Sequence, residues 1–199
     1  MSYLNCRATF AKYILTLLGW SFHASMPINE IPQKFVVIGE PHTSMYDFFL
    51  MILFFWQYKL EDVRFPVNKK YFSYGRGPIF KAVGAIPIDT KSKNNLVKQM
   101  VQQLTEKEKL TIHVPPSGTR SKTDRWKSGF YHIAKGANVP VIPAYLCFQT
   151  KTYGYGKPIH AGSDVTSFMD KIRLFYKDKR GRHPEKESVI LLKEEKKSI

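Results

Sequence analysis

The chain has 199 residues, of which 43% are apolar and 14% aromatic, so it can bury the core of one domain and is not a wholly disordered chain. Its 31 Lys and Arg residues outnumber 16 Asp and Glu residues, which gives a net charge of +15 at pH 7. A charge of this size predicts an acidic partner: nucleic acid, an anionic membrane surface or a phosphorylated substrate.

The N-terminal segment is apolar but short. Its most apolar run, residues 13–22, covers about half of the ~20 residues that a membrane-spanning helix needs, and no small-residue cleavage site follows it. We therefore expect neither a transmembrane helix nor a cleaved signal peptide. The apolar spacing predicts an amphipathic helix, which either lies on a membrane surface or packs on the domain core. Its apolar stripe consists of Leu4, Phe10, Ala11, Ile14, Leu15 and Leu18.

Strand-like and helix-like segments alternate along the rest of the chain. The predicted strands cover residues 34–39, 62–67, 85–88, 110–114 and 139–148. The predicted helices cover residues 45–58, 77–82, 94–106, 126–135 and 165–176, and a Gly-rich turn or hairpin covers 153–157. We expect the fourth helix to end with Gly136 as its C′ residue. The alternation predicts a single α/β domain, with a central, mostly parallel sheet flanked by helices and sites in the loops after the strands.

The loop after the first predicted strand carries His42, and Asp47 follows five residues later inside the next helix. Five residues turn about 140° around a regular helix, so the two side chains meet only if His42 lies in the turn before the helix. Asp47 then accepts a hydrogen bond from one imidazole nitrogen, and the other nitrogen is free to act as a general base. A structural alternative remains, because Ser44 and Asp47 have the spacing of a capping box.

A second candidate loop follows the predicted strand 110–114. Gly118 permits close approach of the backbone to a ligand, Thr119 offers a hydroxyl group, and Arg120 offers a planar guanidinium that suits phosphate. A tight turn without a ligand is the alternative interpretation of the same residues.

The positive charge is concentrated inside the predicted fold. Residues 69–127 hold 13 Lys or Arg against 4 Asp or Glu, which accounts for nine of the 15 net charges. This distribution favours a basic site over a basic tail, although a solvated basic face would look the same. The aromatic residues fall mostly in apolar runs, so we expect no nucleic-acid partner.

Four segments, taken in order and spacing, resemble the blocks that define the glycerolipid acyltransferases typified by 1-acylglycerol-3-phosphate acyltransferase. The family blocks H-x-x-x-x-D, G-x-x-x-I-D-R, E-G-T-R and V-P-I-x-P correspond to residues 42–47, 84–90, 117–120 and 139–143. The resemblance covers roughly residues 33–148, and within the family the sequence is similar in character to a short bacterial-type branch.

This resemblance implies transfer of a fatty acyl chain from a thioester, acyl-CoA or acyl carrier protein, to the hydroxyl of 1-acylglycerol-3-phosphate or a related lysophospholipid. It implies that His42 is the general base and Asp47 its orienting partner, with no covalent enzyme intermediate. The thioester is a co-substrate, and no bound cofactor is implied. Substrate binding is implied for Thr90, Lys91, Ser117, Gly118, Thr119 and Arg120.

Two positions depart from the family pattern. Thr90 stands where the family has an Arg linked to the acceptor phosphate, and Lys91 is a candidate replacement without the bidentate fork. Ser117 stands where the third block has Glu. These departures keep an alternative open, a non-catalytic basic module that binds lipid or membrane and retains the fold.

The expected organisation is an interfacial helical segment at residues 1–30 followed by an acyltransferase domain at residues 31–199. The expected partners are the lysophospholipid acceptor, the thioester donor and an anionic membrane surface. We expect a peripheral protein on the cytoplasmic face of a membrane. No metal site is expected, because the two cysteines lack a C-x-x-C spacing and the histidines are not paired.

Overall fold

The apolar segments predicted as strands form five neighbouring strands of one seven-stranded sheet. The computed structural model describes residues 3–60, 62–73, 75, 77–88 and 93–195. The strands are β1 (Ser21–Ala24), β2 (Lys34–Gly39), β3 (Val63–Asn68), β4 (Ala85–Ile88), β5 (Leu110–His113), β6 (Val141–Cys147) and β7 (Thr152–Tyr155). Their order across the sheet is β1-β7-β6-β2-β5-β3-β4.

Five neighbouring strands of this sheet are parallel. Strand β2 pairs in parallel with β5 and β6, and β3 pairs in parallel with β4 and β5. At one edge the direction reverses, since β7 is antiparallel to β6 and parallel to β1. The predicted α/β fold with a mostly parallel sheet is confirmed, and the carboxyl ends of β2, β3, β5 and β6 lie at one end of the sheet.

Helices cover both faces of the sheet. Within the described residues the α-helices are α1 (Tyr3–Leu17), α2 (Met45–Gln57), α3 (Gly77–Ala82), α4 (Lys93–Glu106), α5 (Gly129–Ala137) and α6 (Val165–Tyr176). Short 3₁₀ helices occupy Ile28–Glu30, Lys69–Phe72 and Pro184–Lys186. Local sequence explains where the helices start: Asp164, for example, caps α6 by accepting hydrogen bonds from the N–H groups of Thr166 and Ser167.

The prediction for α5 is wrong at both ends. The helix begins at Gly129 instead of residue 126, and it runs through Gly136 to Ala137. It ends on Asn138, which adopts the left-handed conformation with φ 53° and ψ 43°. Asn tolerates this conformation because its short polar side chain hydrogen-bonds locally, so the helix does not need Gly136 as its terminator.

The turn predicted at 153–157 is wrong, because strand β7 occupies most of it. The hairpin that was its alternative is present, since β7 follows β6 after a short turn and pairs antiparallel with it. Gly154 lies inside the strand for a steric reason: a Cβ atom there would overlap the carbonyl oxygen of His23 in the adjacent β1. Strand β1 itself was not predicted, since three of its four residues are exposed and it has no apolar alternation.

Alternate residues of the central strands face two apolar clusters. On β2, Val36 and Ile38 pack with residues of α4, α5 and α6, and we call this side the α5 face. Phe35 and Val37 pack with residues of α1 and α2 on the opposite side, which we call the α2 face. The loop from β2 to α2 therefore lies where the α2 face meets the carboxyl end of the sheet.

Helix α1 packs on α2 and also exposes apolar side chains. Ala11 and Leu15 are buried, and the guanidinium of Arg7 lies 4.4 Å from the centre of the Trp56 ring. The helix thus packs on the domain core, as one alternative predicted. It also exposes the apolar surface that the other alternative, an interfacial helix on a membrane, requires. Two residues of the predicted apolar stripe do not enter this comparison: the side chain of Leu4 lies outside the described part of the structure, and Leu18 follows the end of the helix. The predicted boundary of the N-terminal segment at residue 30 stays a prediction. The exposed apolar residues of α1 are Phe10 (55%), Tyr13 (74%) and Leu17 (84%).

Within the described residues, no helix is both long enough and apolar enough to cross a bilayer.

Candidate active site

His42 lies in the turn before α2, as the spacing of the motif requires. Its Nδ1 is 3.2 Å from Oδ2 of Asp47, and the His42 side chain is 25% exposed while the Asp47 side chain is buried. An ionised carboxylate only accepts hydrogen bonds, so Nδ1 carries the proton in this pair and Nε2 is the nitrogen available to receive one. The structure therefore brings the two predicted residues together.

Asp47 also fixes the start of α2, as the structural alternative predicts. Its Oδ2 accepts hydrogen bonds from the N–H groups of Thr43 and Ser44, both at 2.8 Å. The Oγ of Ser44 accepts from the N–H of Tyr46 at 3.1 Å, which completes a capping box. The two roles are compatible, because the backbone bonds hold the carboxylate in place beside His42. The other oxygen, Oδ1, is buried and has no hydrogen-bond partner among the described residues.

An apolar cavity of about 170 Å³ lies beside His42 on the α2 face. Phe48, Met51 and Phe54 of α2 contribute to its wall. A second cavity, of about 520 Å³, lies towards the C-terminal end of α2, and both cavities are lined by Phe55 and Phe65. The apolar residues of α2 therefore both line this space and pack in the core, since Phe54 and Phe55 are buried.

The third block forms a tight turn after β5. Ser117 is buried, and its Oγ donates a hydrogen bond to the carbonyl oxygen of Thr119 at 3.0 Å. The hydroxyl of Thr119 accepts from the N–H of Ser121 at 3.3 Å, so it serves the turn in this structure. Gly118 has φ +64°, which only glycine adopts without strain. Arg120 is exposed at the end of the turn.

The second block is only partly described. Strand β4 ends at Ile88, and Thr90 and Lys91 lie outside the described residues. Their predicted role in substrate binding stays a prediction.

The basic segment 69–127 is divided between the two ends of the sheet. Lys107 and Lys109 precede β5, and Lys109 forms an ion pair of 3.6 Å with Asp62. Arg120 and Lys127 follow β5 and lie at the carboxyl end, where His42 lies. Only part of the charge that the sequence concentrates in this segment is therefore available to the candidate site.

Glu40 connects the first and third blocks, a role that sequence reasoning missed. Its Oε2 accepts from the N–H of His42 at 2.8 Å, and its Oε1 accepts from the N–H of Ser117 at 2.9 Å. The side chain is buried, and this burial raises the pKa of Glu40, while the hydrogen bonds from Ser117 and His42 act in the opposite direction. The only signal in the sequence was an acidic residue at a strand end, two positions before His42.

A second imidazole, that of His113, lines the same cavity. It packs edge-on against Phe65, with ring centres 5.3 Å apart. Burial lowers the pKa of His113 to about 3, and the charge of His42 acts in the same direction, so the ring is neutral at pH 7. Alternation along β5 was the available signal, because Leu110 and Ile112 face the other side of the sheet.

The segment after α6 covers the His42 loop. The N–H of His183 donates to Oγ1 of Thr43 at 3.1 Å. The guanidinium of Arg182 lies 4.2 Å from the centre of the Tyr46 ring, one residue before Asp47. This contact places a cation close to the His42 loop, and sequence analysis had assigned Arg182 no role.

The arrangement suits proton transfer beside a hydrocarbon. A neutral imidazole oriented by a carboxylate can accept a proton from a hydroxyl group, and the adjacent cavity can hold apolar atoms. Within the described residues, no group of three or more His, Cys, Asp or Glu side chains is arranged to hold a metal ion.

Comparison with known proteins places the chain in a family. The crystal structure of the 1-acyl-sn-glycerophosphate acyltransferase PlsC from Thermotoga maritima matches with a TM-score of 0.54 and 15% identity, over 88% of this chain and 75% of that one. At this identity the likeness shows the fold alone. No curated protein sequence matches the chain. A family model described as Acyltransferase matches residues 27–147, more than half of the chain, so the protein belongs to the acyltransferase family and is an acyltransferase enzyme.

Proposed function

We propose that the protein transfers a fatty acyl chain from a thioester, acyl-CoA or acyl carrier protein, to the hydroxyl of a lysophospholipid, 1-acylglycerol-3-phosphate or a close relative. The observation that carries the proposal is the 3.2 Å contact between His42 Nδ1 and Asp47 Oδ2 beside an apolar cavity. The structural likeness to an enzyme named for 1-acyl-sn-glycerophosphate supports this choice of acceptor.

His42 acts as the general base of this reaction. Its Nε2 takes the proton of the acceptor hydroxyl while the oxygen attacks the thioester carbonyl carbon, forming a new C–O bond. The intermediate collapses by breaking the C–S bond, and the departing thiolate receives the proton from the imidazolium. His42 returns to its neutral form, and no covalent bond forms between the enzyme and the acyl chain.

Asp47 holds the imidazole in the tautomer that this step needs. Its carboxylate also stabilises the transient imidazolium through the same hydrogen bond. Because Thr43 and Ser44 fix the carboxylate from the backbone, the pair needs little rearrangement during the reaction.

The cavity on the α2 face holds the acyl chain. The walls from Phe48, Met51 and Phe65 are apolar and lie next to the base, so the carbonyl end of a chain can reach His42. The wall shared with the second cavity, formed by Phe55 and Phe65, limits how deep the chain extends.

The head group of the acceptor binds at the third block. Arg120 supplies a charge-assisted hydrogen bond to a phosphate, and the turn of Ser117, Gly118 and Thr119 positions it. Thr90 and Lys91 belong to the same proposal from the family resemblance. Loss of one such bond to a charged group costs roughly 1.5–3 kcal/mol, or about 10- to 100-fold in affinity.

The enzyme works as a peripheral protein on an anionic membrane, on the cytoplasmic face where both thioester donors are found. The exposed Phe10, Tyr13 and Leu17 of α1 support this proposal, as do Tyr46 and Phe49 on α2 next to the site. The basic residues add electrostatic attraction to such a surface, about 1 kcal/mol for each Lys or Arg near it.

A donor and acceptor screen with mass-spectrometric detection of lipid products tests the proposal. Wild-type protein is offered acyl-CoA and acyl carrier protein donors, with lysophosphatidic acid and the neutral monoacylglycerol as acceptors. We expect transfer to the phosphorylated acceptor, and a loss of roughly 10²- to 10⁴-fold in His42→Ala. His160→Ala is the matched control, because His160 is an exposed histidine with no place in the site. Ordinary turnover by His42→Ala would sink the mechanism.

Two further comparisons separate the remaining alternatives. Arg120→Ala should lower the affinity for the phosphorylated acceptor by roughly 10- to 100-fold and leave the affinity for the neutral acceptor unchanged. Lys122→Ala is the control, because Lys122 is a neighbouring exposed cation. Liposome binding measured beside activity addresses the non-catalytic module, which predicts binding to anionic lipid and no transfer by wild-type protein from any donor.

A further inference from the structure

The Glu40 carboxylate is a two-point contact between segments that are far apart in sequence. Each oxygen accepts one backbone N–H, from His42 at 2.8 Å and from Ser117 at 2.9 Å. The His42 contact is two residues away in sequence, and the Ser117 contact spans 77 residues. The side chain therefore ties the loop of the general base to the turn that carries Arg120.

A buried carboxylate needs such partners to be tolerated. Glu40 is only 5% exposed, and an unpaired charge at such a site is strongly destabilising. Two N–H donors, one for each oxygen, satisfy the ionised form, and hydrogen bonds to a charged group are stronger than those between neutral groups. An amide side chain of the same shape can accept at one end only, because its NH₂ group would face the other N–H.

The side chain of Ser117 is neutral and does not replace a carboxylate. Its Oγ donates a hydrogen bond to the carbonyl oxygen of Thr119 at 3.0 Å, and the hydroxyl also lies close enough to Glu40 to lower the pKa of that carboxyl by hydrogen bonding. Ser117 stands at the position where the family block that this turn resembles has Glu. The carboxylate beside the turn comes instead from the end of β2.

We propose that Glu40 is a positioning residue that replaces the Glu missing at position 117 and fixes the His42 loop against the Ser117–Arg120 turn. This inference rests on the proposed function, since positioning is expressed as acyl transfer. Both carboxylate oxygens of Glu40 accept backbone N–H groups, so we assign it no proton transfer. It acts through the backbone of His42, whose ring must stand within hydrogen-bonding reach of the acceptor hydroxyl.

The first test is the isosteric change Glu40→Gln. Misplacing a catalytic group by about 1 Å can cost up to ~10²-fold, so we expect kcat to fall by roughly 10- to 100-fold. The acceptor KM should stay within about twofold, because the head-group contacts remain. Tyr131→Phe is the matched control: it removes the hydrogen bond that a buried tyrosine donates to the carbonyl oxygen of Gly162 at 2.7 Å, and it should lower stability without this loss of kcat.

The second test exchanges the carboxylate between the two positions. Ser117→Glu alone places a second acid beside Glu40 and should lower both activity and melting temperature, because two like charges are then buried together. Glu40→Ala alone removes the contact and should also lower both. Combining Glu40→Ala with Ser117→Glu restores one carboxylate between the His42 loop and the Ser117–Arg120 turn. We expect the kcat of the double variant to exceed that of each single variant by about tenfold or more.

The outcomes distinguish this inference from the proposed function. Wild-type activity that is retained in Glu40→Gln would overturn the positioning role, and a double variant no better than Glu40→Ala would overturn the replacement. If wild-type protein transfers no acyl chain, the proposed function fails, and the melting temperatures of the four proteins still decide the exchange. A double variant that melts above both single variants supports it, and additive losses contradict it.

Discussion

The two faces of the sheet both bury a cluster of apolar side chains but pack them differently. On the α5 face, Phe130, Ile112 and Met169 are almost completely buried in one cluster. On the α2 face, aromatic side chains such as Phe55 and Phe65 surround two cavities, one of them beside His42. Under the proposed function, the α5 face mainly stabilises the fold, whereas the α2 face gives up close packing and keeps space for the substrate.

The most damaging change should be a truncation on the α5 face. Phe130→Ala removes a fully buried ring, which costs about 3–5 kcal/mol of unfolding free energy. Urea denaturation measures this loss. The distribution of acyl products should not change at a temperature where the variant is folded, and a shift in chain-length preference would break the division between the faces.

Acid should destabilise the α2 face through His113. The unfolded chain binds a proton with a pKa near 6.5, whereas the folded protein keeps this ring neutral down to about 3, so the unfolded state binds more protons in between. The unfolding free energy therefore falls as the pH drops from 6.5 towards 3, by about 2 kcal/mol at pH 5. Denaturation curves at pH 7 and pH 5 should show a smaller drop in His113→Gln. An equal drop in both proteins would contradict the assignment.

A milder change on the α2 face should alter selectivity more than stability. Phe65→Leu thins the wall between the two cavities and should cost less than about 1.5 kcal/mol, because the residue stays apolar. Competition between thioesters of different chain length should then favour longer chains than in wild-type protein. An unchanged profile would indicate that the acyl chain does not reach this wall.

The smallest effect is expected on the α5 face, at the end of α5. Asn138→Ala places a Cβ-bearing residue without a local hydrogen bond at φ 53°, for a loss of about 1 kcal/mol. Asn138→Gly is the control, since glycine adopts this conformation freely. Thermal unfolding measures both, and acyl transfer should be unaffected in either variant.

Sequence patterns located the five parallel strands, including β4 at one edge, and failed at the opposite edge, which β7 and β1 form. The bounds of β2 and β4 were predicted correctly, because apolar runs between breaking residues define them. Strand β1 has mostly exposed residues, and β7 contains Gly154, whose absence of a Cβ is explained only by the neighbouring strand. Edge pairing depends on partners that a single segment does not reveal.

The site was predictable where it is local. The spacing of His42 and Asp47 fixed the turn geometry in advance, because one helix start contains both. The contact from Glu40 to Ser117 depends on the parallel register of β2 and β5, in which Val37 pairs with His113. No local pattern encodes that register, so the second partner of Glu40 became visible only in the folded chain.

The attachment of α1 determines how the enzyme can be oriented by whatever it binds. The carbonyl oxygen of Leu18, just after α1, accepts from Nζ of Lys151 at 3.2 Å, in the connection that follows the carboxyl end of β6. One end of the helix is thus held at the same end of the sheet as His42, and its buried side lies on α2, which begins beside Asp47. The exposed apolar residues of α1 are therefore held in a fixed position relative to the domain. A surface that binds Phe10, Tyr13 and Leu17 would fix both the orientation of the candidate site relative to that surface and its distance from it.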